Sequence, residues 1–364
     1  MWEPVRMTQR HGPRPTMNDV AARAQVGLKT VSRVVNGEAG VTPAMAERVR
    51  AAIAELGFRR NDSARLLRQG RTASIGLLIE DLGDPFAAQL GRAVEDVARE
   101  HGSLVFTGSS GEDPQRERDL ALTFCARRVD GLVVIPSGED HRYLLPEMDA
   151  GVAVVFVDRP AQRIETDAVL TDNAGGARQG VAHLIRHGHR RIGYLGDLPR
   201  IHTAAQRLHG YRQAMAQAGL PLEETWIAMG PTDPATVTAA VQRLTSSGGG
   251  GTPVTALFTG NNRITLAALR ALANLEHAPA LVGFDDLELA DLLTPGLTVV
   301  AQDPAALGRA AAELLFQRLS GDTSPPRRME FPTRLVPRGS GERHPPPPPA
   351  DRRTGGTRAR RLSR

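Results

Sequence analysis

The sequence is nearly without cysteine, lysine and aromatic side chains: of 364 residues one is cysteine, two are tryptophan, three tyrosine and nine phenylalanine. The single thiol, Cys125, cannot close an internal disulfide, which excludes a disulfide-stapled fold and fits a reducing compartment. It stands in the apolar-periodic stretch 120–127 and reads as a small buried side chain; without a neighbouring base it makes no nucleophile. With so few aromatics the core must be built from Ala, Val, Leu and Ile. No run of 18 apolar residues occurs, and residues 1–15 lack an apolar segment of the signal-peptide kind. Neither membrane spanning nor secretion is signalled, so a cytoplasmic chain without a membrane partner is expected. A Gly-x-Ser-x-Gly elbow, a P-loop, paired metal-binding cysteines and a Gly-x-Gly-x-x-Gly turn after a strand are all missing. No catalytic residue, metal ligand or cofactor is therefore assigned.

What is present is an uneven distribution of charge. Residues 17–71 hold ten Lys or Arg against five Asp or Glu, whereas residues 72–337 hold 24 against 32. The stretch from 338 is basic again, eight against two. A small basic head on an acidic body implies that only the head meets a polyanion. The length exceeds what one hydrophobic core usually holds, so two or three domains are expected.

Residues 1–15, with three prolines and no periodicity, read as a disordered leader. Three short amphipathic helices follow over 16–57: Thr16 caps 18–24, residues 28–36 place Val31, Val34 and Val35 on one face, and Thr42-Pro43 opens a helix whose Met45, Val49, Ile53 and Leu56 share a face before Gly57. Such helices bury little singly and must fold as one bundle. Residues 58–72 are Arg-rich and polar and read as a linker. From Ser74 the texture changes to nine short apolar runs, at 74–79, 103–107, 131–135, 153–157, 168–171, 191–195, 255–258, 280–284 and 298–301. Helical patterns lie between many of them, as at 86–101 and 174–187. Apolar strands separated by helices predict parallel, doubly wound α/β sheets, and nine strands over 73–340 predict two lobes. Residues 248–251 read as a surface glycine loop and 341–364 as a disordered Pro/Arg-rich tail.

Within the basic head, Asp19-Val20-Ala21, Thr30-Val31-Ser32-Arg33 and Val35-Asn36-Gly37 stand in one order at fixed spacing. Together they resemble the helix-turn-helix headpiece of the LacI/GalR (lactose/purine repressor) family of transcriptional regulators. A second helix entering the major groove by its first turn presents Leu28, Lys29 and Arg33 to base edges. Arg33 can pair with a guanine edge, the competing reading being a solvated helix charge. Thr30, Ser32 and Asn36 suit phosphate and backbone contacts. The resemblance extends to the linker, which looks like the family's hinge helix. It implies that Leu67 wedges into the minor groove between Arg65 and Arg68, against the alternative of local packing. Arg60 and Asp62 depart from the family's pattern there.

The rest resembles that family's two-lobed, periplasmic-binding-protein-like sensor domain. The matching segments are 83–86, 129–131, 157–159, 171–173, 187–193, 260–262 and 283–286. Ligands of open α/β sheets sit beyond the carboxyl ends of strands, where Asp84, Phe86, Asp158, Arg159, Asp172, Thr203, Arg207, Asn261 and Asp285 fall. Carboxylates, an amide and guanidinium groups suit a polyhydroxylated ligand, and Phe86 offers a stacking face. Asp130-Gly131 reads as a turn, and 187–189 as a helix end rather than a metal site. Where purine-binding members of the family carry an arginine and an aromatic, this chain has Ile201 and Thr232, so a sugar or sugar derivative is the expected effector. The resemblance implies a homodimer on a near-palindromic double-stranded operator, acting as a repressor under effector control. A small-molecule binding protein or an enzyme on the same two-lobed fold is the alternative.

Overall fold

Thr16 opens the first helix by a reciprocal cap: its Oγ1 accepts from the Asp19 amide at 3.4 Å, and the Asp19 carboxylate accepts from the Thr16 amide at 2.7 Å. The computed structural model describes residues 15–58, 72–246, 252–273, 275 and 277–346. Arg65, Leu67 and Arg68, the 248–251 loop, all of the leader before residue 15 and the tail beyond residue 346 lie outside them. The chain divides into two units, Met1–Thr72 and Ala73–Arg364.

In the first unit α1 (Met17–Ala24), α2 (Leu28–Asn36) and α3 (Pro43–Leu56) each stop at a left-handed residue, Gln25, Gly37 and Gly57. Val20, Ala24, Val31, Val49, Ala52 and Phe58 form their core. Two expectations are corrected. Met45 is 43% exposed, because so small a core covers only the middle of a 14-residue helix. Phe58, read as linker, packs into this core, so the folded head runs one residue past its glycine cap.

The second unit contains two six-stranded sheets. The first lobe has the order β11-β5-β4-β3-β1-β2, from β1 (Ser74–Ile79), β2 (Leu104–Ser109), β3 (Gly131–Val134), β4 (Ala153–Val157), β5 (Asp167–Thr171) and β11 (Arg328–Phe331), all parallel. The second has the order β12-β10-β9-β8-β6-β7, from β6 (Ile192–Gly196), β7 (Ile227–Met229), β8 (Ala256–Thr259), β9 (Ala280–Phe284), β10 (Thr298–Ala301) and the antiparallel β12 (Arg334–Val336). Strands buried on both faces, such as β1 and β9, are the continuous apolar runs of the sequence. β7, β11 and β12 were not among the nine expected. They are three or four residues long, partly exposed sheet edges: β7 and β12 are too short to stand out as apolar runs, and in β11 Met329 and Phe331 alternate with Arg328 and Glu330.

Helices α4 (Pro85–Glu100) and α11 (Pro304–Leu319) cover one face of the first sheet, α5 (Pro114–Ala126) and the short α6 (Leu145–Asp149) the other. In the second lobe α7 (Asn173–Arg186) packs on α8 (His202–Gln217), and α9 (Pro234–Thr245) on α10 (Asn262–Leu272). The α7–α8 crossing depends on Gly210, where a Cβ would stand 2.1 Å from the Ala174 carbonyl oxygen. The chain crosses between the lobes three times: at Asp172 between β5 and α7, at 302–303 between β10 and α11, and at 332–333 between β11 and β12.

Two further readings change. Gly131 is the first residue of β3 rather than part of a turn, and a Cβ there would meet the Ala153 carbonyl at 2.9 Å. Residues 341–346, read as part of the tail, are bonded to the second lobe. The Glu342 carboxylate bonds the His183 ring and accepts from Thr298 Oγ1 at 2.8 Å, and His189 Nε2 donates to the Arg343 carbonyl at 2.7 Å. His187 ends α7 and Gly188 turns at φ 94°, as a helix terminus requires.

Candidate functional site

The first unit offers its second helix. Leu28 is 48% exposed at the first turn of α2, Lys29 beside it is exposed and Arg33 one turn on is half-buried. A leucine left in solvent by a bundle that has other aliphatic residues for its core is available to a base edge or a thymine methyl. Among the described residues the other cations of this unit are occupied internally. Arg23 pairs with Glu55 at 2.6 Å, and Arg48 donates to the Ala24 and Gln25 carbonyls, tying the α1–α2 turn to α3. Among the described residues Lys29 and Arg33 form no ion pair, so their charge faces outward. Thr30 and Ser32 are half-buried on the same helix, and the exposed Asn36 donates to Ser32 Oγ at 3.4 Å and to Glu38 at 3.0 Å.

The second unit holds a cavity of about 430 Å³ between its lobes, a volume normal for small-molecule sites. Two buried arginines organise its walls. In the first lobe Arg159 forks onto Glu112 at 2.6 and 2.8 Å, donates to the Pro136 carbonyl at 3.0 Å and stands 3.4 Å from Asp158, joining the ends of β2, β3 and β4. In the second lobe Arg207 donates from Nε to Asn173 Oδ1 at 2.7 Å and from one terminal nitrogen to the Gly260 carbonyl at 2.6 Å. It lies 3.7 Å from Asp285 and its guanidinium stacks 3.8 Å over the Phe284 ring. Each lobe thus pins its strand ends with one planar fork.

Asp158 and Asp285 are counterparts: each follows the last residue of a central strand, β4 or β9, and each is left-handed, at φ 68° and 72°. Aspartate tolerates this conformation, but it carries strain, which concentrates where a side chain must be aimed. Burial raises the pKa of both carboxyl groups, opposed by Arg159 and Arg207 at Asp158 and by Arg207 at Asp285. Asp285 also accepts from Gln302 Nε2 at 2.6 Å and from the Asn262 amide at 3.3 Å. Across the cleft Asn262 donates to Asp84 at 2.8 Å, while Arg263 pairs with Asp81 and stands 3.4 Å from Asp84.

Asp84, Phe86, Asp158, Arg159, Thr203, Arg207, Asn261 and Asp285 all line this cavity, as do Ile201 and Thr232. Asp172 does not. Its carboxylate accepts from the Gly175 amide at 2.7 Å as the cap of α7, a demand that the sequence pattern of a strand end cannot separate from ligand binding. Asp84 and Asn261 are caps too, yet each has a second face toward the cleft: Asn261 Nδ2 donates to Asp197 at 2.9 Å. Glu80, Glu112, Asp197, Asn262, Arg263 and Gln302 also line the cavity and were not singled out from sequence. Glu80 directly follows β1, so the strand-end rule that found Asp158 would have found it. Burial, opposed by Arg159, pushes its carboxyl group to about 8.

A model of bacterial regulatory proteins of the lacI family matches residues 16–61, and one of a periplasmic binding protein-like domain matches residues 181–341. The HTH-type transcriptional regulator CelR of Thermobifida fusca is 36% identical over 343 residues, covering 90% of this chain and 98% of CelR. The chain belongs to the LacI family of transcriptional regulators. A solved CelR–cellobiose complex is 34% identical with a TM-score of 0.64, covering 90% of this chain and all of that one (100%). A lac repressor dimer bound to operator and the anti-inducer ONPF is 25% identical with a TM-score of 0.77, covering 90% of this chain and 99% of the other. As a LacI-family member the protein is a DNA-binding regulator rather than an enzyme, and its fold is the expected α/β one: an all-α headpiece and a two-lobed sensor with parallel sheets. No helix among the described residues is long and apolar enough to cross a membrane.

Proposed function

We propose that this LacI-family regulator acts in the cytoplasm as a homodimeric repressor, binding a near-palindromic operator through α2 and a carbohydrate effector in the cleft between its sensor lobes. The observation that carries the reading is the pair of left-handed, arginine-supported aspartates, Asp158 and Asp285, lining one polar cavity from opposite lobes. Carboxylates accept from sugar hydroxyls and the guanidinium and amide groups donate to them, while Phe86 supplies an apolar wall. The cellobiose bound by CelR and the operator bound by the lac repressor dimer support the same classes of partner here. Ile201 and Thr232 offer a purine neither a bidentate donor nor a stacking ring. Effector bridging the lobes would alter their relative orientation and so shift operator affinity. Gel mobility shift on genomic operator fragments, with sugars first selected by thermal shift, tests the whole scheme. A chain that retards no fragment, or whose retardation no sugar alters, refutes it.

Two substitutions separate the elements of DNA recognition. Arg33→Ala should cost about 1–3 kcal/mol at a single operator position and relax base preference there. Equal loss on operator and random DNA would make Arg33 a phosphate contact. Leu67→Ala, in the segment outside the described residues, should reduce operator bending in a permuted-site gel and weaken operator binding, with non-specific affinity nearly unchanged. Wild-type bending and affinity in that variant would make 58–72 a tether only.

A further inference from the structure

The carbohydrate reading leaves the charge of the cleft unexplained. Seven carboxyl groups line it against four guanidinium groups. Three of those guanidiniums are already engaged: Arg159 by Glu112 and Asp158, Arg207 by Asp285, and Arg263 by Asp81 and Asp84. Glu80 is left over. Its Oε2 is buried and has no hydrogen-bond partner among the described residues. The charged groups that face it are Asp158 and Arg159 after β4, Asp84 at the start of α4 and Arg263 on α10. Both arginines among these are already paired.

A buried carboxylate without a donor is costly, so Glu80 either keeps its proton or is completed by a ligand that brings a donor. A phosphate or carboxylate on the ligand would add to the negative excess. A hydroxyl would satisfy Glu80 but leave that excess in place. An ammonium group supplies three donors and the missing positive charge, and ion-assisted bonds are the stronger kind.

We propose that the effector carries a protonated amine, as an amino sugar does, and that Glu80 is the residue that selects it. The proposal rests on the carbohydrate reading of the cleft. Burial holds the Glu80 carboxyl group near 8, so before effector binds it is mostly protonated at neutral pH. An incoming ammonium favours the carboxylate, and the Glu80 proton passes to the buffer while the carboxylate pairs with the cation. Affinity therefore rises with pH through the neutral range until the amine loses its own proton.

Isothermal titration of the full chain with matched pairs tests this: glucose against glucosamine, and cellobiose against its diamino counterpart from chitosan. The amine member of at least one pair should bind about tenfold or more tightly than its hydroxyl twin. The observed heat should vary with the ionisation enthalpy of the buffer, by an amount reporting net proton release. In Glu80→Gln, which keeps the shape of the side chain and whose folding is checked by thermal unfolding, the amine preference and the proton release should disappear. A hydroxyl twin that binds as well as or better than its amine in wild type overturns the proposal and leaves the carbohydrate reading standing. An amine preference that survives in Glu80→Gln removes Glu80 from it. Binding of neither member of any pair, or of any other sugar, overturns both readings together.

Discussion

Replacing Arg207 by alanine should destabilise the sensor unit by about 3–5 kcal/mol, the range seen when one partner of a buried ionic network is removed. The guanidinium is almost wholly buried, and it simultaneously serves Asn173, the Gly260 carbonyl, Asp285 and the Phe284 face. Alanine would leave a buried carboxylate without its counter-charge and open a void against Phe284. Arg207→Met restores part of the volume and should recover only part of the loss, because the polar partners remain unsatisfied. Urea unfolding followed by circular dichroism measures both variants. A loss below about 1 kcal/mol in Arg207→Ala would mean that water replaces the guanidinium and that the fork does not hold the second lobe's strand ends.

Asp285→Ala should abolish the effector response, with effector affinity falling by about tenfold to a hundredfold or more as the charge-assisted bonds are lost. Alanine is also poorly suited to the left-handed backbone at this position, so Asp285→Asn is the companion variant: it tolerates that conformation and retains hydrogen bonding without the charge. The asparagine variant should bind effector between wild type and alanine, and both should still retard operator DNA. Calorimetry on an effector found by the sugar screen checks this. Unchanged affinity in Asp285→Ala would show that the ligand does not use the end of β9, and the cleft assignment would fall.

Much of this was legible in the sequence because a fully buried strand is written as an unbroken apolar run. Eight of the nine apolar runs became the interior of the two sheets and the ninth became the exposed edge strand β2, whereas β7, β11 and β12, short and stabilised by backbone pairing at an edge, left no comparable mark. The binding residues were legible by the same logic of position, since strand ends in open sheets face the ligand. That logic fails at Asp172, where helix capping and ligand binding call for the same side chain. Glu80 obeys the same logic, since it directly follows β1 as Asp158 follows β4. In the head, local helix periodicity put Met45 in the core, but burial there is decided by which turn of α3 the other two helices reach.

The three crossings between the lobes also dictate an order of assembly. β5 lies at an inner position of the first sheet only once β11, some 160 residues later, has been added beside it, and α11 must arrive to cover the apolar face shared with α4. During synthesis the first lobe therefore waits, with an open sheet edge and an uncovered core, until nearly all of the second lobe has left the ribosome. The second lobe waits in turn for β12 and the Glu342–His183 contact. The two halves that work as separate bodies around a ligand are, on the way to the native state, a single unit whose completion is set by its last strands.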